Sequence, residues 1–270
     1  MSTHERPRTP TRVAVDAQAL GDLYSAPAIL RVVNVWDAAS ARVVAELPGT
    51  TAIATAGHGI AASHGYPDGE QIPLALMLDS IDRISRAAEH LPITADLDGG
   101  YGDVGETVRR AIGVGASGAN IEDRMRPFAE SVTLMHHAVA AGADEGVAFA
   151  LNARTDALIA DSSVPRADAL SEAVRRGRAY IEAGATCVFV PGVLTADETR
   201  TLVSGIGDRL VSVIGLPGAL TAAEYEALGV ARISYGPMPQ NVALTALKRL
   251  GASLYGDGVI PGDTEQLNNF

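Results

Sequence analysis

Eight times in succession, a short run of β-branched and small apolar residues is followed by a longer amphipathic stretch. That alternation leaves few folds open. The spacing predicts strands over residues 30–36, 51–55, 93–97, 118–122, 147–154, 187–190, 210–214 and 232–234. The helices that follow them span 38–46, 73–90, 104–112, 131–141, 167–183, 195–203, 221–228 and 240–254, with a Gly-rich connection ahead of the second. The strand runs are almost continuously apolar, as parallel strands covered on both faces must be. Eight such units with no dividing linker imply an α/β chain closed into one (β/α)8 TIM barrel over 1–270, not an open sheet. Residues 1–11 are expected to form a short irregular arm, and 256–270 an irregular Gly/Asp/Asn-rich tail.

Bulk chemistry narrows the function. Apolar residues make up 47 % of the chain but aromatic ones only 4 %, so aliphatic side chains must build the core. The net charge of −11 repels phosphate backbones, which argues against a nucleic-acid partner. An acidic protein still binds an acidic substrate if a metal ion reverses the charge locally. No run is long enough to span a bilayer, and residues 1–11 lack the apolar core of a secretory signal. The single cysteine, Cys187, permits no internal disulfide; it lies in an apolar strand and reads as packing. Together these point to the cytoplasm.

Polar residues gather where the predicted strands end, and in a barrel those ends share one mouth. Strand one ends in Asn34-Val35-Trp36-Asp37, strand two in Thr55-Ala56-Gly57-His58, and strand three in Asp96-Leu97-Asp98-Gly99-Gly100-Tyr101-Gly102. Strand four ends in Asn120-Ile121-Glu122-Asp123, and strand five in Asn152-Ala153-Arg154-Thr155-Asp156. Asp96 and Asp98 are alternate residues and can both face the axis. Two carboxylates forced together repel unless a cation lies between them. Glu122, one strand over, completes a hard oxygen site suited to Mg²⁺, with Mn²⁺ as the alternative ion. Arg154 ends the next strand, and its planar fork matches a substrate carboxylate. The Ala56-Gly57 turn can aim main-chain N–H groups at an oxyanion. Against these stand an ordinary Asp-Gly turn and a structural ion pair of Arg154 with Asp156 or Glu122.

Other signals carry less. Gly113-Val114-Gly115-Ala116-Ser117-Gly118 follows a helix and precedes a strand, the reverse of a dinucleotide loop. His136 and His137 are adjacent and cannot face one metal from a helix. His58 and His64 flank the mouth as acid/base candidates or as structural histidines. Arg124 and Arg126 are surface charges or contacts for a second carboxylate. A Schiff-base aldolase needs a lysine at the mouth, and the only lysine, Lys248, lies in the last predicted helix.

These stretches resemble the isocitrate lyase/phosphoenolpyruvate mutase superfamily, in particular its carboxyvinyl-carboxyphosphonate phosphorylmutase-like members. The likeness runs from about Asn34 to Ser234 and rests on residues 36–42, 55–57, 65–68, 96–102, 118–123 and 153–156; the Asp-x-Asp-x-Gly-Tyr-Gly stretch is the most specific. The resemblance implies Mg²⁺ on Asp96, with Asp68, Asp98 and Glu122 reached partly through water. It also implies a substrate carboxylate held by the Ala56 and Gly57 amides and gripped by Arg154. The candidate set is then Arg154, Asp68 and Glu122 for catalysis; Trp36, Thr55, Ala56, Gly57, Asn152 and Arg154 for substrate; and Asp96, Asp98 and Glu122 for metal. The resemblance further implies a homo-oligomer, dimer or tetramer, with an exchanged C-terminal helix. Two departures matter. The segment 123–131 holds neither the Cys nor the His of the lyase loop, and the positions of the mutase Lys and Asn are Phe128 and Glu130. A mutase His after strand six aligns near Pro191. The segment 123–131 is still expected to be a mobile lid. The expected activity is a Mg²⁺-dependent carbon–carbon lyase or decarboxylase acting on a small α-keto or α-hydroxy (di)acid through an enolate-like intermediate. The alternatives are a phosphoenolpyruvate mutase or phosphonopyruvate hydrolase, or a non-catalytic keto-acid-binding protein.

Overall fold

The computed structural model describes residues 9–268. The chain runs α1 (Pro10–Ser25), β1 (Leu30–Val32), β2 (Asn34–Val35), α2 (Ala38–Ala45), β3 (Ile53–Thr55), α3 (Gly57–Ser63), α4 (Leu74–Ala87), β4 (Ile93–Asp96) and α5 (Val104–Gly113). It continues through β5 (Gly118–Glu122), α6 (Phe128–Asp144), β6 (Ala150–Arg154), α7 (Arg166–Glu182), β7 (Cys187–Phe189), α8 (Ala196–Ile206), β8 (Val211–Ile214), α9 (Ala222–Ala227), β9 (Arg232–Ser234) and α10 (Met238–Leu254).

All strand pairs are parallel, in the order β1-β9-β8-β7-β6-β5-β4-β3-β2. The two ends of that order are halves of one strand broken at Val33. β1 pairs with β9, and β2 pairs with β3. The break lets a single segment close the ring, and the result is the expected (β/α)8 barrel. No helix among the described residues is long and apolar enough to cross a membrane.

Side chains alternate across each strand. Outward-facing Val35, Ile53, Ile93, Ile121, Val188, Val213 and Ile233 join the large core beneath the helices. Inward-facing Leu30, Val32, Ala52, Ala54, Ala150 and Cys187 form a second cluster with Leu20 and Tyr24. Those two come from α1, which plugs the bottom of the barrel. The expectation of an irregular arm over 1–11 needs correcting here: residues 1–8 lie outside those described, but the helix begins at Pro10. Thr9 caps it by accepting the Arg12 N–H at 3.3 Å, and Pro10 stands at the first helical position, where its missing donor costs nothing. Val13, Ala17, Leu20 and Tyr24 then recur on one buried face. This close approach explains Gly118, where an added Cβ would lie 2.5 Å from the Ala150 carbonyl oxygen and 2.9 Å from Leu20.

Above the plug the barrel interior turns polar. Arg232 is fully buried and donates to Tyr24 Oη at 3.0 Å and to Asn120 Oδ1 at 2.8 Å. Asn152 donates to the same Asn120 oxygen at 2.8 Å and to Ser212 Oγ at 3.2 Å. This layer is the floor of the site. At the other extreme, α10 buries only Gln240, which reaches the Gly59 carbonyl and Ser63 Oγ, each at 3.0 Å. The tail beyond α10 is irregular through residue 268.

Candidate active site

The inward positions at the C-terminal strand ends are Asn34, Asp96, Glu122, Arg154, Phe189, Ile214 and Ser234. With His58, Asp68, Asp98 and Asn120 they line a cavity of about 350 Å³. A larger apolar groove of about 800 Å³ runs outside the barrel between α2 and residues 264–268 and holds none of the cavity's four carboxylates. Chemistry, not size, selects the smaller cavity.

Asp96 ends β4. Its main-chain N–H bonds Thr55 Oγ1 at 2.9 Å, and its carboxylate accepts the Gly57 N–H at 3.1 Å. Asp98 follows in a left-handed conformation (φ 49°), as does Tyr101 (φ 52°), so the loop folds tightly back over the strand end. The Tyr101 hydroxyl lies 3.5 Å from Asp98, and the Tyr101 N–H bonds Glu70 at 2.8 Å. Burial pushes Asp96 up to about 6 from 3.8; Arg154 opposes that rise and Glu122 adds to it. Burial likewise pushes Asp98 up to about 8, helped by Asp96 and Glu122. Asp98 has no ion-pair partner among the described residues. Both are hard oxygen donors whose charged forms are disfavoured where they stand, Asp98 in part by Asp96 itself, so a divalent ion fits the residues present. Among the described residues no three Asp, Glu, His or Cys side chains stand close enough to hold an ion together. The ion would therefore rest on one or two carboxylates, with water completing its shell.

Opposite runs a ladder of alternating charge. Glu70 pairs with Arg124 at 3.0 Å, Arg124 with Glu122 at 2.8 Å, Glu122 with Arg154 at 2.9 Å, and Arg154 with Asp156 at 2.7 Å. Burial works against the Arg154 charge, but Asp156 and Glu122 outweigh it and raise its pKa. Arg154 also lies 5.9 Å from the Phe189 ring centroid.

Several expected roles change. Asp96, Asp98, Glu122, Arg154 and Asp68 all meet at the cavity, with Asp68 3.1 Å from His58 Nδ1 at the rim. Glu122 is held by two arginines, Arg124 and Arg154. Arg154 spends Nε and Nη1 on its two acids, leaving Nη2 without a partner among the described residues. The Ala56 N–H bonds the Val35 carbonyl at 2.8 Å, and the Gly57 N–H bonds Asp96, so neither amide is free for an oxyanion. Thr55 braces β4 and does not line the cavity. Asn152 lies one layer down, in the barrel floor. Trp36 faces the outer groove beside α2. The segment 123–131 is not a free lid: α6 starts at Phe128, and Asp123 and Ser131 are fully buried. Asp123 accepts from Tyr180 Oη at 2.6 Å and Arg176 Nη1 at 3.1 Å, which ties the segment to α7.

The sequence reading named Asn34 and Asn120 at their strand ends but gave neither a role in the site. Asn34 Oδ1 accepts the Tyr235 and Gly236 N–H groups at 2.7 and 2.8 Å, clamping the β9 loop to β2. Asn120 Oδ1 must face Arg232, which only donates, so its amide nitrogen is the group left for the cavity. Its position two residues before Glu122 on one strand was the available signal.

The sequence profile of the phosphoenolpyruvate phosphomutase family matches residues 20–254. An oxaloacetate decarboxylase of Rhodopseudomonas palustris (strain HaA2) is 29 % identical, covering 90 % of this chain and 86 % of its own. A 2,3-dimethylmalate lyase of Eubacterium barkeri is 29 % identical over 94 % of this chain and 91 % of its own. Among solved structures, a candidate phosphonomutase from Burkholderia cenocepacia J2315 superposes with a TM-score of 0.82 at 38 % identity, covering 88 % of this chain and 99 % of that one. Profile, relatives and fold agree: the chain belongs to the phosphoenolpyruvate phosphomutase family, within the phosphoenolpyruvate mutase/isocitrate lyase superfamily of lyases and mutases.

Proposed function

We propose that this chain is a divalent-metal-dependent lyase or decarboxylase that converts a small α-keto or α-hydroxy acid through an enolate. The observation that carries the reading is the Asp96–Asp98 pair facing Arg154 across one small cavity. Asp96 would hold Mg²⁺ or Mn²⁺ directly, with Asp98, Glu122 and Asp68 reached through water, and the bound ion would supply positive charge beside the substrate's carboxylate and carbonyl oxygens. Arg154 Nη2 and the Asn120 amide donate from the other side and the floor. They stabilise charge that grows only as the enolate forms. Loss of CO₂ from a β-keto acid needs no base, and water can return the proton. Cleavage beside a hydroxyl needs one, and His58 is the only imidazole among the described cavity-lining residues. Decarboxylation therefore asks least of this chain, in keeping with its oxaloacetate decarboxylase relatives. The test is turnover of oxaloacetate and alkyl-substituted malates. Activity should vanish in excess chelator and return with Mg²⁺ or Mn²⁺; full activity in chelator, or no turnover of any such acid, overturns the reading.

A second expectation follows from the raised carboxyls. Folded Asp96 and Asp98 keep their protons to about 6 and about 8, whereas the unfolded chain releases them near 3.8. Their stabilising contribution is whole below that lower value and is lost as pH rises through the upper two. Without divalent ions the melting temperature should fall between pH 5 and pH 9, and Mg²⁺ should restore it most at the alkaline end. Melts in chelator that do not depend on pH would contradict this.

We also propose a homo-oligomer that covers α10. Val242, Leu244 and Leu247 are 66 %, 52 % and 62 % exposed on that helix. Sedimentation should give a dimer or tetramer, and Leu247→Glu a smaller species; a wild-type monomer would remove the basis for this proposal.

A further inference from the structure

Arg232 is fully buried in the barrel floor, and no acid among the described residues pairs with it. It lies on the inward face of β9, one layer beneath Ser234, which lines the cavity. Only Nη1 finds acceptors: Tyr24 Oη at 3.0 Å, from the α1 plug below, and Asn120 Oδ1 at 2.8 Å, from the cavity floor above. Nε and Nη2 meet no acceptor among the described residues. Arg176, the other buried arginine among the described residues, faces two acids, Asp123 at 3.1 Å and Glu172 at 2.7 Å. The titratable neighbours of Arg232 are not hidden counter-ions, because burial pushes both the Tyr24 hydroxyl and the Cys187 thiol up to about 12. A guanidinium does not give up its proton inside a protein. A lone positive charge therefore stands in the dry interior of the barrel, where holding it is unfavourable. Packing alone would be served by a neutral side chain.

The cavity above has the opposite imbalance. Along its rim Glu70, Arg124, Glu122, Arg154 and Asp156 alternate as three acids to two arginines. Asp68, Asp96 and Asp98 add further carboxyl groups. The Arg154 charge is cancelled at contact distance by its two acids, whereas the Arg232 charge is not, and an uncancelled charge reaches further through a medium of low dielectric. Asn120 connects the two layers. Its Oδ1 accepts from Arg232 Nη1 and from Asn152 Nδ2, both at 2.8 Å. Both lone pairs are then committed to the floor. The amide N–H groups are left for the cavity, and the charge behind them polarises the amide.

We propose that Arg232 is a positioning residue for anionic ligands of the cavity: it fixes the Asn120 amide as a donor and supplies from below the positive charge that the rim lacks. This rests on the keto-acid reading of the same cavity and deepens it. A small anion above Asn120 is the counter-charge that the fold itself withholds from Arg232. The stabilisation strengthens as negative charge gathers on the oxygen that the amide meets. The same buried charge repels a cation, so it weakens divalent-metal binding by the ligand-free protein.

The test is calorimetric binding to the full chain, independent of turnover. The probes are Mg²⁺ alone, and oxalate in saturating Mg²⁺; oxalate presents the planar pair of anionic oxygens that an α-keto acid enolate presents. Arg232→Gln removes the charge but keeps an N–H donor for Asn120. It should weaken oxalate by about tenfold or more and tighten Mg²⁺ by about threefold or more. Arg232→Lys keeps the charge and should leave both affinities within about threefold of the wild type. Shifts of opposite sign are the signature of charge, because a damaged floor weakens both ligands together. Melting curves establish that the variants are folded. If Arg232→Gln does not fold, Arg232→Met, which removes charge and donor together, is held to the same two shifts. Any other pairing of shifts in the folded neutral variant, or a lysine variant that behaves like the neutral one, overturns the proposal, and the keto-acid reading stands on wild-type oxalate binding. If the wild type fails to bind either probe, both fall.

Discussion

Replacing Arg154 by lysine is expected to lower kcat/KM by roughly 30-fold or more, since the loss of one partner in a buried charged site costs about 2–5 kcal/mol and about 1.4 kcal/mol is tenfold. The guanidinium reaches Glu122 at 2.9 Å and Asp156 at 2.7 Å from two different nitrogens. Its third nitrogen remains free to turn toward the cavity. An ammonium is a point charge on a flexible stem and cannot span both acids while presenting a further donor. The variant should keep its net charge but leave one of the two carboxylates underneutralised beside Asp96. Because the charge Arg154 shares exists mainly in the transition state, kcat should fall and not KM alone rise. The measurement is kcat and KM separately, with a melting curve on the same preparation. An enzyme that stays active but melts much earlier would assign Arg154 to architecture alone.

What the sequence makes legible in this fold depends on separation along the chain. Strand alternation, the Asp96–Asp98 pair and the Glu122 and Arg154 strand ends are written in residues a few positions apart, and the four side chains line one cavity. Helix α1 was equally local: Thr9 followed by Pro10 is a helix-start signal that a Pro-rich composition disguised. The same is true of α3, which begins at Gly57 in what looked like a Gly-rich connection. What pattern alone did not yield is depth. Asn152 and Arg154 face the same way, but they lie in successive layers, one in the floor and one at the mouth. Only the stagger of neighbouring strands decides which layer meets the cavity. Pairings across long separations were equally hidden, as between Glu70 and Arg124 or between Asp123 and Arg176. The lid expectation failed for that second reason, because the partner that pins Asp123 lies on α7.

That pinning predicts the largest stability effect in the chain. Arg176→Met should destabilise the fold by about 3–5 kcal/mol, the usual consequence of removing one partner from a buried ion pair. At roughly 2–4 °C per kcal/mol for a domain approaching this size, the melting temperature should drop by about 6–20 °C. Arg176 is 4 % exposed and Asp123 is fully buried. The guanidinium serves Asp123 at 3.1 Å, Ser131 Oγ at 3.0 Å, the Arg126 carbonyl at 3.0 Å and Glu172 at 2.7 Å. Methionine fills much of the same volume, so the loss reports charge and hydrogen bonds more than a cavity. Tyr180 still donates to Asp123, but one hydroxyl does not neutralise a carboxylate in a dry site. The other Asp123 oxygen accepts the Met125 N–H at 2.9 Å and the Asp156 N–H at 3.2 Å. Asp156 is the residue that holds Arg154, so the disturbance should reach the cavity and lower kcat even below the melting transition. Adding Asp123→Asn to Arg176→Met should recover part of the lost stability, because the orphaned charge is then gone. If the double variant melts lower than the single by the full cost of a second independent lesion, the two side chains do not act as a pair, and the segment after β5 is held by something other than this contact.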